Sequence, residues 1–153
     1  MKNTAGGKIA YIFQEPRLYD WMDVTSNVSI VSSLPKKKAD ERAKKILAAL
    51  YLEESSSLFP KELSGGMKQR VSIARAIAYD PDIILLDEPF KALDDEMKKS
   101  VAEYLFSTMK NKTIIMVTHD LSDTVYADYT VYVSESPISS LRMEKSNSSL
   151  LNK

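Results

Sequence analysis

Two short segments carry most of the chemistry this chain could do. In Leu63-Ser64-Gly65-Gly66-Met67-Lys68-Gln69-Arg70, a serine and two glycines open what reads as a helix. Such a start leaves backbone N–H groups unpaired at the positive end of the helix dipole and sets a hydroxyl beside them. Together these suit an anion. Glycine matters because no Cβ then holds a phosphate away from the backbone. The same residues also make an ordinary surface cap, so the segment alone leaves both readings open. In Ile83-Ile84-Leu85-Leu86-Asp87-Glu88-Pro89, an apolar strand ends in two carboxylates. That places negative charge at the carboxyl edge of a sheet, where open α/β folds take their ligands. A plain strand followed by a polar turn would read the same way.

Three weaker candidates accompany them. Ala92-Leu93-Asp94-Asp95 offers Asp94, which by itself is a helix cap. His119, the only histidine, follows an apolar run and precedes Asp120-Leu121. Gln14 closes the first apolar run, and an isolated glutamine has little specificity.

These residues need a scaffold, and the chain alternates short apolar runs with helical periodicity, which predicts a parallel α/β sheet. Strands are expected at Ile9–Phe13, Asp82–Asp87, Thr113–Thr118 and Tyr129–Val133. The run Asp82–Asp87 is apolar enough to be buried on both faces. After Pro35, the positions Ala39, Ala43, Ile46, Leu47 and Leu50 share one helical face. Ser64 caps a second helix reaching about Tyr79, with Met67, Val71, Ala74 and Ala78 inward. Asp94 caps a third, with Met97, Val101, Tyr104 and Leu105 at core spacing, and Leu121–Ala127 forms a short helix. Ser55–Pro60 reads as loop. Beyond Ser134 the composition turns to Ser, Lys and Asn, which predicts a polar, loosely ordered tail over 134–153. A candidate short strand lies within it at Ile138–Met143.

Composition narrows the classes. The 153 residues carry 21 basic and 21 acidic side chains, so nothing suggests a nucleic-acid partner. There are no cysteines, which excludes disulfides and fits a reducing compartment. The longest aliphatic runs are too short to span a bilayer, and no apolar leader opens the chain. Pro16, Leu18, Tyr19, Trp21 and Met22 cluster apolar groups on an expected loop. Such a cluster marks a partner surface, unless Trp21 plugs the local core.

Leu63–Arg70 resembles the signature motif of ABC transporter ATPases. Six fixed positions at about 5% each coincide by chance on the order of 10⁻⁸ per start site. Ile83–Pro89 then resembles the family's Walker B motif, and Asp94, His119 and Gln14 fall at its D-loop, switch-histidine and Q-loop positions. Gln14-Glu15-Pro16-Arg17-Leu18 with Trp21, followed by Val24-Thr25-Ser26-Asn27-Val28, is similar to importer ATPases for nitrate, sulfonates and taurine. The resemblance covers roughly residues 8–133.

The resemblance implies a truncated P-loop NTPase fold, with a partial ATPase domain at 1–133 and a helical subdomain at about 22–80 inside it. It implies ATP and Mg²⁺ as ligands. Asp87 and Gln14 would hold Mg²⁺, Glu88 would activate the attacking water, and His119 would contact the γ-phosphate. Ser64, Gly65, Gly66, Gln14 and Asp94 would bind nucleotide, the signature and Asp94 acting across a dimer. A membrane permease and a second ATPase subunit are the implied partners, with the chain peripheral at the cytoplasmic face of the membrane. Residues Gln14 to about Leu58 would meet the permease. The four glycines do not supply Gly-x-x-x-x-Gly-Lys-Ser/Thr, the loop that cradles the phosphates. The chain alone is therefore expected to be inactive or very weak as an ATPase. The alternative is a non-catalytic module offering its signature to an intact subunit. In the family's sheet, the first three strands here would lie side by side in parallel. The bare edge of Thr113–Thr118 would then capture another chain or be closed by Tyr129–Val133.

Overall fold

The computed structural model describes residues 7–133 and 141–145. They fall into two compact units meeting in sequence at Val117 and Thr118.

The first unit is built on three parallel strands, β1 (Ile9–Ile12), β2 (Ile83–Asp87) and β3 (Thr113–Val117), in the order β1-β2-β3. This is the expected order and direction. Ala10, Ile12, Ile84 and Leu86 point to one face and are buried there with residues of helices α3 (Gly65–Tyr79) and α4 (Asp95–Thr108). The opposite face carries Ile9, Tyr11, Ile115 and Val117, all exposed, and Ile83 and Leu85, half-buried. The expectation that β2 is covered on both faces is thus corrected. Only Ile84 and Leu86 are buried, while Ile83, Leu85 and Asp87 are half-buried.

Helix α2 (Lys36–Ala49) buries Ala39, Ala43, Ile46 and Leu47, and its C-cap Leu50 is also buried, so the predicted stripe is the one that packs. Helix α3 buries Val71, Ala74 and Ala78 as expected, together with Ile73 and Ile77, whereas Met67 of the expected stripe is only half-buried. One helix is unexpected: α1 (Val24–Ser29), six residues of poor helix formers. Its support is tertiary. Asp23 caps it through Ser26 N at 2.7 Å, and Thr25 ties both its N–H and its hydroxyl to Ser56 O. The expected loop Ser55–Pro60 is flanked by two single 3₁₀ turns, Glu53–Ser55 and Pro60–Glu62, each sharing one residue with it.

The second unit holds a 3₁₀ helix at Leu121–Tyr126, where the sequence predicts a short helix over Leu121–Ala127, and a two-stranded antiparallel ladder. In it β4 (Tyr129–Val133) pairs with β5 (Leu141–Lys145). Of the strand expected at Ile138–Met143, Leu141–Met143 fall in β5 and 138–140 lie outside the described residues. Residues 134–140 and 146–153 of the expected tail lie outside the described residues. Among the described residues β4 pairs with β5 in a two-stranded sheet of its own.

Candidate nucleotide site

Parallel register determines where the first group of candidates falls. Ile12 pairs with Leu86 and Asp87 with Val117, so all three strands end at one edge. Gln14 stands two residues past the end of β1, exposed, and Asp87 closes β2, half-buried. Glu88 follows with φ +45°, a left-handed backbone that costs a non-glycine residue roughly 1–2 kcal/mol. The turn is held in place because Glu88 N donates to Val117 O at 2.9 Å. Strain of this kind collects at functional turns, where the surroundings enforce it. Behind it Phe90 is buried and meets Phe106 edge-on.

The second group surrounds the start of α3. Ser64 is its N-cap, accepting a hydrogen bond from Met67 N at 3.2 Å, and the first turn carries no acid. The two glycines differ. A Cβ on Gly65 would meet nothing within 4 Å, so this position opens outward. A Cβ on Gly66 would stand 2.8 Å from Ala92 O and 3.3 Å from a methyl of Leu93. Gly66 is therefore required by the close passage of the backbone that leads into Asp94. Asp94 caps α4 through Met97 N at 2.9 Å. Arg70 ties α3 to the end of α2: its guanidinium donates to Leu50 O at 2.9 Å and Tyr51 O at 3.1 Å. Burial pulls the Arg70 pKa below the usual arginine value, and the Asp94 carboxylate opposes that pull.

Helix α3 also reaches the segment after β1. Arg75 Nη2 donates to Arg17 O at 2.6 Å, and its guanidinium lies 5.6 Å from the Tyr19 ring centroid. Burial lowers the Arg75 pKa in the same way, with Tyr19 raising it slightly. Gln69 is 1% exposed and donates a long hydrogen bond, 3.5 Å, from Nε2 to Phe13 O, while its Oε1 is buried without a partner among the described residues. An unmet buried oxygen of this kind costs about 1–3 kcal/mol.

The loop from Tyr19 to Asp23 is organised by Asn27, which sequence reading left without a role. Fully buried, it accepts from Tyr19 N at 2.8 Å and donates toward Tyr19 O, Met22 O and Asp23 O. No local pattern reveals this, since an asparagine among Val, Thr and Ser reads as loop. Trp21 is 72% exposed, so it does not plug the core. It borders a groove of about 530 Å³ that is also lined by Ile30, Leu34 and Phe59.

His119 lies in the second unit, exposed, in a turn held by Thr118. The Thr118 hydroxyl donates to Asp123 Oδ2 at 2.7 Å and accepts from Asp120 N at 3.0 Å.

Among the described residues no group of three or more acidic, histidine or cysteine side chains could hold a metal ion. Asp87 and Gln14 do bring two oxygen donors to one sheet edge, the ligand type Mg²⁺ takes alongside phosphate and water. No helix of the described residues is long and apolar enough to cross a membrane.

Comparison with known proteins bears on the family and the fold. A family model described as ABC transporter matches residues 1–91. The chain is 41% identical over 118 residues to the aliphatic sulfonates import ATP-binding protein SsuB of Bacillus subtilis (strain 168), covering 76% of this chain and 46% of that protein. It is 37% identical over 144 residues to the nitrate import ATP-binding protein NrtD of Synechocystis, covering 91% and 54%. The chain thus spans about half the length of the curated relatives it matches. Among solved structures, the ATP-binding cassette MJ0796, in a dimeric post-hydrolysis state bound to ADP and Pi, superposes with a TM-score of 0.79 at 31% identity, over 90% of this chain and 62% of that one. An inward-facing putative metal-chelate type ABC transporter matches with a TM-score of 0.69 at 27% identity, over 92% of this chain and 59% of that one.

Proposed function

The chain belongs to the ABC transporter family, and from that premise we propose that it is the part of an import ATPase subunit that completes a nucleotide site and hydrolyses the nucleotide there. The observation that carries this reading is the convergence of Gln14, Asp87 and the strained Glu88 on one sheet edge. A neutral, glycine-opened helix start at Ser64 adds the second half of such a site.

In this reading Glu88 is the general base toward the water that attacks the γ-phosphate, and His119 contacts that phosphate. Asp87 and Gln14 would hold Mg²⁺, which when bound neutralises phosphate charge. Ser64 and the backbone N–H groups of Gly65 and Gly66 face the nucleotide of an opposing subunit, and Asp94 reaches across the same pairing. The dimeric state of the similar cassette supports that arrangement. Residues 22–80 act as a helical subdomain. Its groove beside Trp21 receives a permease at the inner face of the membrane, and the exposure of Trp21 supports this. The names of the relatives support an importer of the sulfonate or nitrate type.

A second reading, a non-catalytic module that lends its signature to an intact subunit, rests on the neutral, glycine-opened start of α3 alone. No Gly-x-x-x-x-Gly-Lys-Ser/Thr occurs in these 153 residues. Both readings predict that the isolated chain shows no calorimetric binding of Mg-ATP at micromolar concentration, and micromolar binding would contradict both. Joining a P-loop segment ahead of Lys8 separates them. ATP turnover that depends on Glu88 supports the catalytic reading, and a bound but unhydrolysed nucleotide supports the module.

A further inference from the structure

Gln14 and Ser64 lie on different elements, and the proposed function needs them in a fixed relation. Two side chains of α3 bridge the elements. Arg75 reaches Arg17 O, fifty-eight residues away in sequence, and Gln69 reaches Phe13 O, fifty-six residues away. Phe13 and Arg17 bracket Gln14, and the Arg17 guanidinium stacks 3.9 Å from the Phe13 ring centroid, closing the turn on itself. The segment thus meets α3 at both of its ends.

Gln69 is a poor choice for stability alone. It is buried, its one hydrogen bond is long, and its Oε1 meets no partner among the described residues. A leucine of similar size would fill the space without an unmet polar atom. What leucine could not do is hold the carbonyl of Phe13.

We propose that Gln69 and Arg75 are positioning residues that clamp the Gln14 segment to α3, so that Gln14 and the Ser64–Gly66 end of that helix move as one body. Its functional meaning rests on the reading that both ends contact nucleotide. The clamp itself can be measured without nucleotide, so its failure and the failure of that reading are distinguishable.

The chain has no cysteine, so spin labels can be placed at will. With Glu15→Cys and Lys61→Cys, both exposed positions, double electron–electron resonance on the full chain reads the distance between the two ends. The parent should give a narrow distribution. Gln69→Leu and Arg75→Leu should each lose it, and Arg75→Lys, which keeps a donor, should restore much of it. Emission of Trp21, the only tryptophan and a neighbour of Tyr19, should shift in the same variants. The melting temperature of Gln69→Leu should hold or rise. A narrow distribution surviving in both leucine variants overturns the proposal. So does broadening that follows a fall in melting temperature and is not recovered by Arg75→Lys, since Gln69 and Arg75 would then be packing residues only.

Discussion

Ser64 and Asp94 each cap a helix of similar length, 15 and 14 residues, and each accepts a hydrogen bond from the N–H three residues on. The helices differ in what surrounds the cap. Helix α4 begins with an aspartate cap followed by Asp95 and Glu96, so its dipole is already met by three carboxylates. Helix α3 begins with a neutral hydroxyl, two glycines and no acid in its first turn. The positive end of α3 is left for an outside anion, whereas that of α4 is satisfied internally. A cap alone therefore says little about function, and the charge of the first turn separates a start open to an anion from one already neutralised.

The comparison is broken most sharply at the chemistry. With a P-loop segment joined to the chain, Glu88→Gln should lower ATP turnover by about 10²–10⁴-fold. Ser64→Arg should abolish it by filling the anion position, and Asp95→Asn in α4 should leave it near the parent's. Steady-state phosphate release checks all three, and a loss in Asp95→Asn equal to that in Ser64→Arg would erase the distinction between the two helix starts.

Next in size are the glycines. Gly66→Ala must push against the Ala92 carbonyl and should cost about 1–3 kcal/mol in denaturant unfolding. Gly65→Ala meets no neighbour within 4 Å and should stabilise α3 by about 0.5–1 kcal/mol. It should still impair turnover in the P-loop-joined chain, because its methyl stands where a phosphate would come. Equal unfolding costs at the two positions would contradict the geometry.

The smallest effect concerns the caps themselves. Ser64→Ala and Asp94→Ala should each cost about 1 kcal/mol. Added phosphate or sulfate should stabilise the parent chain little, since the cap end alone is not a complete site.

Much of this was legible in the sequence because it is local. Apolar spacing placed α2, α3 and α4, and Ser64 and Asp94 announced their helices through cap chemistry. The strand order agreed with the family resemblance. What stayed hidden depends on distant partners. Helix α1 is made of residues that disfavour helices and stands on Asp23, Asn27 and Ser56. The half-buried face of β2 could not be read from an apolar run that looks the same whether covered once or twice. The strained backbone of Glu88 and the reach of Gln69 and Arg75 to carbonyls more than fifty residues away leave no local pattern.

The central claim is that Ser64 and Glu88 serve different nucleotides, one on the opposing subunit and one on their own. It is tested most directly by mixed dimers of the P-loop-joined chain, pairing a Glu88→Gln subunit with a Ser64→Arg subunit. Both defects then fall in a single composite site, and the other site is intact. Each variant alone should be inactive, while the mixed dimer should keep about half the parent's turnover, as expected when one of two composite sites survives. A mixed dimer as inactive as either variant alone would place both residues on the same nucleotide and contradict the account.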